Sequence, residues 1–494
     1  MDKKIIAPDR RDLFLTVGMV LCGFIFLEGG MMDPEAALGK AAFVAIACIA
    51  SVMYLHAEGI RQSRGSIPVL VSIIVLSLPF VIFSGCTEHI ITMIAIIPMY
   101  LYWIASSCGQ TTDSKLSLYA IGDVIKQGCI IPFKNYGSCP EVIVSSNREK
   151  NSRSPILIAA GIIIAIPLMT AAVMLLSQAD RSFSALIETI AEQLSWRWAI
   201  YLGEVILGIP VAFYMFGLLY GNTKGEKRED FNKDSLSQTA QSLAKLPALI
   251  GTTVLLCLNI VYAVFLGLQI RHLIIGLPEE MTYSQFARQG FFQLCEVAMI
   301  NLAVVIAVSI FTNKREGSAK TAKLQISIMA AFTIGISCTA LTKMFMYINV
   351  YGLTQKRVYT SIFMIYLILV FGSIAIHQFR RVNLGRILCI SAVIILIFFN
   401  YAGIDRTIAK YNISRYEKGT LEMMDMDLML TLDDSALPEL YRLWKKTEAF
   451  DMAELLRNNE GHYSWADWSI ERARANVVRE DYYRNYYCLE EDGK

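Results

Sequence analysis

The stretch PALIGTTVLLCLNIVYAVFLGLQI, residues 247–270, decides the fold. It carries no charged side chain, and it is long enough to cross the apolar core of a bilayer, which takes about 20 residues of helix. A soluble core has no use for such a run, and this one is repeated in both directions along the chain. Further apolar runs bounded by charge fall at about 12–31, 38–56, 67–84, 89–106, 155–177, 198–220, 290–312, 325–347, 358–376 and 387–404. Together they predict an all-α polytopic transmembrane helix bundle of about 11 spans with a small helical extracytoplasmic C-terminal domain. Composition agrees, since 55% of the 494 residues are apolar and 18% charged, against about 45–50% and about 25% in soluble proteins. Basic residues precede the first run, but Glu28, Gly29 and Gly30 make no small-residue cleavage site, so it reads as a retained anchor.

Orientation follows from Lys and Arg, because basic connections resist translocation. With the N-terminus cytoplasmic, the inner connections hold 24 of them and the outer ones 7. An odd number of spans then places the tail from Asp405 outside. That tail carries 19 acidic and 13 basic residues, so the overall charge of +2 is a cancellation between an acidic tail and a basic remainder. A strongly basic nucleic-acid binder is excluded. The organisation read from these runs is a four-span region (1–106), a cytoplasmic loop (107–153), a seven-span region (154–404) and the extracytoplasmic helical domain (405–494).

Within the tail, Ile404, Ile408, Ile413, Leu437, Leu440 and Leu443 recur at helical spacing. Its aromatic residues Tyr441, Trp444, Phe450, Trp465, Trp468, Tyr482, Tyr483, Tyr486 and Tyr487 suit a core, a bilayer contact or a partner surface. Two apolar stripes predict helices lying flat on the membrane: Leu118, Ile121, Ile125 and Cys129 on the inner side, and Phe183, Leu186, Ile190 and Leu194 on the outer. Pro79, Pro98, Pro167 and Pro210 interrupt spans and predict kinks.

Eleven cysteines without a CxxC pair and five histidines without ligand spacing predict no metal site. The chain has no GxSxG, P-loop, HExxH or dinucleotide fingerprint, so neither a catalytic motif nor a cofactor is expected. Charged residues at membrane depth need a partner or a wet cavity. Glu204, Glu296 and Lys343 are these residues, with Lys343 a candidate counter-ion for Glu296, and Asn259 and Asn301 are expected to join helices by hydrogen bonds. On the outer face, positive charge stands against the orientation rule at Arg288, near Tyr283, at Lys356 and Arg357, between Tyr351 and Tyr359, and at Arg406. It suits docking of the acidic tail, anionic lipid phosphate, or a carboxylate or phosphate ligand.

The strings YGLTQKRVYTSIFMIYL (351–367), ARQGFFQL (287–294), DRTIAKYNISRY (405–416) and DLMLTLDDSALPEL (427–440) resemble bacterial multi-spanning membrane proteins of domain of unknown function 4173, a group related to domain of unknown function 4153. The resemblance covers roughly 240–445 and implies a fold but no activity. The expected function is a non-enzymatic protein of a bacterial cytoplasmic membrane, sensing or binding through Tyr283, Arg288, Tyr351, Arg357, Tyr359 and Arg406. Its partners would be membrane lipids and an envelope protein or anionic ligand. The alternative is a secondary transporter or lipid flippase using Glu204, Glu296 and Lys343.

Overall fold

The computed structural model describes residues 9–31, 33–113, 115–146, 169, 172, 173, 175–193, 196–225, 242, 247–275, 291–312, 319–380, 382–421, 424–447, 450–458 and 464–487. Regular structure in these residues is helical. Two compact units divide the chain: Met1–Thr111, Ile121–Lys227 and Gly461–Ala473 form one, and Thr112–Ala120, Arg228–Glu460 and Arg474–Lys494 the other.

The first unit is built from α1 (Arg10–Glu28), α2 (Leu38–Ala57), α3 (Ser66–Ile82), α4 (Cys86–Ser107), α5 (Ala120–Cys129), α6 (Ile131–Lys134), α7 (Ser138–Ser146), α8 (Arg181–Gln193) and α9 (Trp196–Thr223). Asp9 and Asp12 form a capping box that starts α1. Helices here meet backbone to backbone. A Cβ on Gly23 would lie 2.1 Å from the Gly208 carbonyl oxygen, and one on Gly39 only 1.9 Å from that of Gly29, so only glycine permits α1 to approach α9 and α2 this closely. Pro79, Pro98 and Pro210 lie inside α3, α4 and α9, and Pro167 lies outside the described residues.

Residues 464–473 belong to this unit. The Ala37 and Leu38 amides donate to the carbonyls of Ala466 and Trp468 at 2.8 and 3.2 Å, and Trp465 Nε1 donates to Glu28 Oε1 at 3.3 Å. The C-terminal segment therefore covers the connection between α1 and α2. Lys40, at the start of α2, is buried and donates to the Asp33, Pro34 and Ala36 carbonyls at 2.6, 3.0 and 2.6 Å. The lysine thus closes the loop that leads into its own helix.

The second unit contains α10 (Ala248–Ile275), α11 (Phe291–Phe311), α12 (Ala319–Tyr351), α13 (Gln355–Phe379), α14 (Leu384–Tyr401), α15 (Ile404–Glu417), α16 (Met426–Leu430), α17 (Leu437–Thr447), α18 (Met452–Asn458) and α19 (Ile470–Tyr482), whose first four residues count with the other unit. Large side chains fill it: Met329, Ile336, Met344, Met364 and Phe371 centre one apolar cluster. Polar bonds pin it, as expected of Asn259 and Asn301. Tyr262 donates to Asn301 Oδ1 at 2.6 Å, Asn301 Nδ2 to Thr333 Oγ1 at 2.9 Å, and Asn259 Nδ2 to Gln325 Oε1 at 2.8 Å. These bonds join α10, α11 and α12. A second cluster joins Phe399, Ile408, Ile413, Leu437, Leu440, Leu443 and Leu456, with Leu353, Tyr359 and Ile362 packed against it.

Among the described residues, seven helices are long and apolar enough to cross a membrane, drawn from α2, α4, α10, α11, α12, α13 and α14. The shorter apolar α3 covers the expected run at 67–84. The runs at 12–31 and 198–220 coincide with α1 and α9, while that at 155–177 falls mostly outside the described residues.

Candidate functional site at the turn between α12 and α13

The two strings YGLTQKRVYT and DRTIAKYNISRY meet in space. After α12 ends at Tyr351, Gly352 adopts a φ of 78°. A Cβ there would lie 2.5 Å from Asn412 Oδ1, so both conformation and space require glycine. Leu353 then gives both backbone groups to Asn412 of α15: its N–H donates to Oδ1 at 2.8 Å and its carbonyl accepts from Nδ2 at 2.9 Å. Thr354 caps α13 by accepting from the Arg357 amide at 3.3 Å.

The last carbonyls of a helix have no partner within it, and cations near them are favoured by the helix dipole. Two arginines exploit this at α12. Arg357 Nη1 turns back to the carbonyls of Tyr351, at 3.1 Å, and Gly352, with its guanidinium 4.2 Å from the centre of the Tyr347 ring. Arg415 of α15 donates to the Ile348, Asn349 and Thr420 carbonyls at 3.3, 2.9 and 2.6 Å. Buried Asp405 adds a third fastening: both carboxylate oxygens accept from Gln355 Nε2 at 2.7 Å, and one accepts from the Asp433 amide at 3.0 Å. Chemically the arrangement is a joint, in which guanidinium, carboxamide and carboxylate bind the chain's own backbone and side chains.

Of the residues selected from sequence, Tyr351, Arg357, Tyr359 and Arg406 fall on or beside this joint. Tyr351 is 48% exposed, and Arg406 projects from α15 into the open. Arg357 is spent on local carbonyls. Tyr359 is half-buried, with its ring centre 5.4 Å from that of Phe399. Tyr283 and Arg288 lie outside the described residues. Glu204 falls on α9, with its side chain outside what is described. Glu296 is exposed on α11 whereas Lys343 is buried in α12, so those two face opposite environments.

Sequence reasoning missed Gln355, Asp405, Asn412 and Arg415. The available signal was spacing: positions 405, 412 and 415 fall on one side of a helix, the side that also carries 404 and 408. It also missed an ionic group in the first unit. Asp12 receives Lys224 Nζ at 2.7 and 2.8 Å and the Tyr54 hydroxyl at 3.1 Å, and Glu58 stands 3.4 Å from the same ammonium. Burial opposes the charge on Lys224, but the bond to Asp12 and the two carboxylates outweigh it and hold this ammonium above its ordinary value.

Long apolar helices, polar pins between them and a C-terminal helical region fastened to one connection define a multi-pass membrane protein. The chain belongs to the family described as domain of unknown function (DUF4153), whose profile matches residues 70–443. This is the related family named second in the resemblance above, and the match takes in both strings that form the joint. Comparison with curated proteins and with solved structures gives no match.

Proposed function

We propose that the chain is a protein of a bacterial cytoplasmic membrane with eleven spans, its N-terminus cytoplasmic and the region from Asp405 extracytoplasmic. It works without catalysis, as a sensing or partner-binding protein. The joint carries this reading: it fastens α15 to an outer connection through Asn412, Asp405, Arg357 and Arg415, which builds a platform and not a reaction centre. Arg406 and Tyr351, with Tyr283 and Arg288 from the preceding connection, form the outward surface for an anionic lipid headgroup or an acidic envelope partner. Arg357 and Tyr359 support it from beneath.

Sidedness gains support from parity. Residues 464–473 rest on the connection after the first span, and α15 rests on the connection after the ninth. Both connections lie opposite the N-terminus in an eleven-span chain, in agreement with the Lys and Arg count. The test is native mass spectrometry of the full chain in nanodiscs containing phosphatidylglycerol. Arg288→Ala with Arg406→Ala should strip bound anionic lipid that the wild type retains, and equal retention overturns the surface. The transporter or flippase reading through Glu204, Glu296 and Lys343 is favoured by one observation, the burial of Lys343 within α12. Proton-coupled flux in liposomes, abolished by Lys343→Met, would decide for it.

A further inference from the structure

The apolar stripe that patterning lays flat on the membrane stands exposed, and the polar side of its helix is turned inward. In α5, Asp123 and Gln127 are 3% and 0% exposed, while Ile121 and Ile125 are 64% and 56% exposed. The polar side is used up against α9: Gln127 and Asn222 exchange carboxamide hydrogen bonds of 3.0 and 2.7 Å, and the Tyr214 hydroxyl donates to the Gly128 carbonyl at 2.8 Å. The chain then enters α6 and presses onto two glycines spaced one turn apart, with its backbone at Gly217 and the Asn135 side chain at Gly221. A Cβ on Gly217 would lie 2.6 Å from the Pro132 carbonyl oxygen, and one on Gly221 would lie 2.3 Å from Asn135 Nδ2. Phe133 stands exposed on the outward side.

Depth can be read from α9. Gly217 lies six residues before the helix end at Thr223, so the backbone of α6 sits about 9 Å below that end at about 1.5 Å per residue. The Asp12, Lys224 and Glu58 charges stand at that end and mark it as polar. Amphipathic segments of the membrane interface rest about 5–10 Å into the boundary between headgroups and acyl chains, which is the depth of the glycine seat. Charge points the same way. Between 121 and 134 the chain holds one acidic residue, Asp123, which is buried, and two lysines, Lys126 and Lys134, of which Lys134 is exposed.

We propose that α5 and α6 form a shallow re-entrant foot, embedded by Ile121, Ile125 and Phe133 in the leaflet at this end of α9, with anionic headgroups held by Lys126 and Lys134. The test is amide exchange over residues 121–134 of the full chain, in phosphatidylcholine vesicles with and without phosphatidylglycerol. Each lysine near an anionic surface contributes about fivefold, so exchange should slow by more than tenfold when phosphatidylglycerol is present. Lys126→Gln with Lys134→Gln should erase that difference and leave exchange in phosphatidylcholine unchanged. Equal exchange in the two lipids overturns the proposal. So does protection that appears only on self-association, which would assign the face to a second copy of the chain.

Discussion

The two units hold helices together where lipid offers little hydrophobic gain, and they use different materials. In the first, glycines bring backbones into contact at Gly23 and Gly208 and at Gly29 and Gly39, and an ionic group of Asp12, Lys224 and Glu58 ties three helix ends. In the second, methionine, isoleucine and phenylalanine fill the space between α10, α11, α12 and α13, and neutral amides and hydroxyls pin it. Charged groups there tie the turn after α12 and, through the buried pair of Arg479 and Asp434, α19 to the residues before α17. A glycine seat tolerates no added atom, whereas a core of flexible side chains can shift. The seats of the first unit at Gly23 and Gly39 should therefore be sensitive to single atoms, and the apolar core around Met329, Met344 and Met364 in the second should yield by degrees.

The largest effect expected of this difference is at Lys224. Lys224→Met leaves buried Asp12 without its closest cation, and breaking a buried pair costs about 3–5 kcal/mol. Thermal unfolding in detergent should show that loss, and Asp12→Asn added to Lys224→Met should recover much of it. A single variant as stable as the wild type would show that the ionic group contributes nothing. Next come glycines. Gly23→Ala overpacks a backbone contact and should cost about 1–3 kcal/mol. Gly267 and Gly372, on α10 and α13, have nothing within 4 Å of an added Cβ, so alanine there should be neutral or stabilising by about 0.4–1 kcal/mol. Equal responses in both units would erase the contrast.

Legibility in the sequence follows the same divide. Spans could be read because hydropathy is a local property, and Asn259 and Asn301 stood out as amides in apolar runs. The joint is half legible: the strings at 351–360 and 405–416 stand out, but for positive charge that suits a ligand. The structure spends Arg357 and Arg415 on helix-end carbonyls, whose need for donors is set by where α12 stops. The contact between Asp12 and Lys224 joins residues 212 apart, and no periodicity encodes that. Nor does composition distinguish a glycine seated on another backbone from one facing lipid. The flat-lying stripe at Ile121 and Ile125 was legible as amphipathic, yet the inward use of Gln127 depended on Asn222 in a distant helix.

At the joint a smaller effect is expected. Asn412→Ala removes two bonds to Leu353 and should cost about 1–2 kcal/mol, with faster amide exchange at Leu353 and little change around Gly23. The smallest effect is a pH dependence. Bonds from Tyr441 and Lys445 hold the Asp481 carboxyl below the usual carboxylate range, and burial with the Asp481 bond pushes the Tyr441 phenol up to about 12. Because the Asp481 value is depressed on folding, its contribution is complete above the ordinary aspartate range and disappears as pH falls through the folded value. Acid should therefore loosen the contact between α17 and α19 in the wild type, and Asp481→Asn should remove that acid step. An unchanged acid step in the variant would assign it to other carboxylates.

The central claim is that the joint and the C-terminal helices lie on the face opposite the N-terminus. A phosphatase reporter that matures only outside the cytoplasm, fused after Lys494, tests it directly against a fluorescent reporter that folds only inside. The account predicts an active phosphatase and a dark fluorescent fusion. The reverse pair would contradict the topology and the outward surface proposed on it.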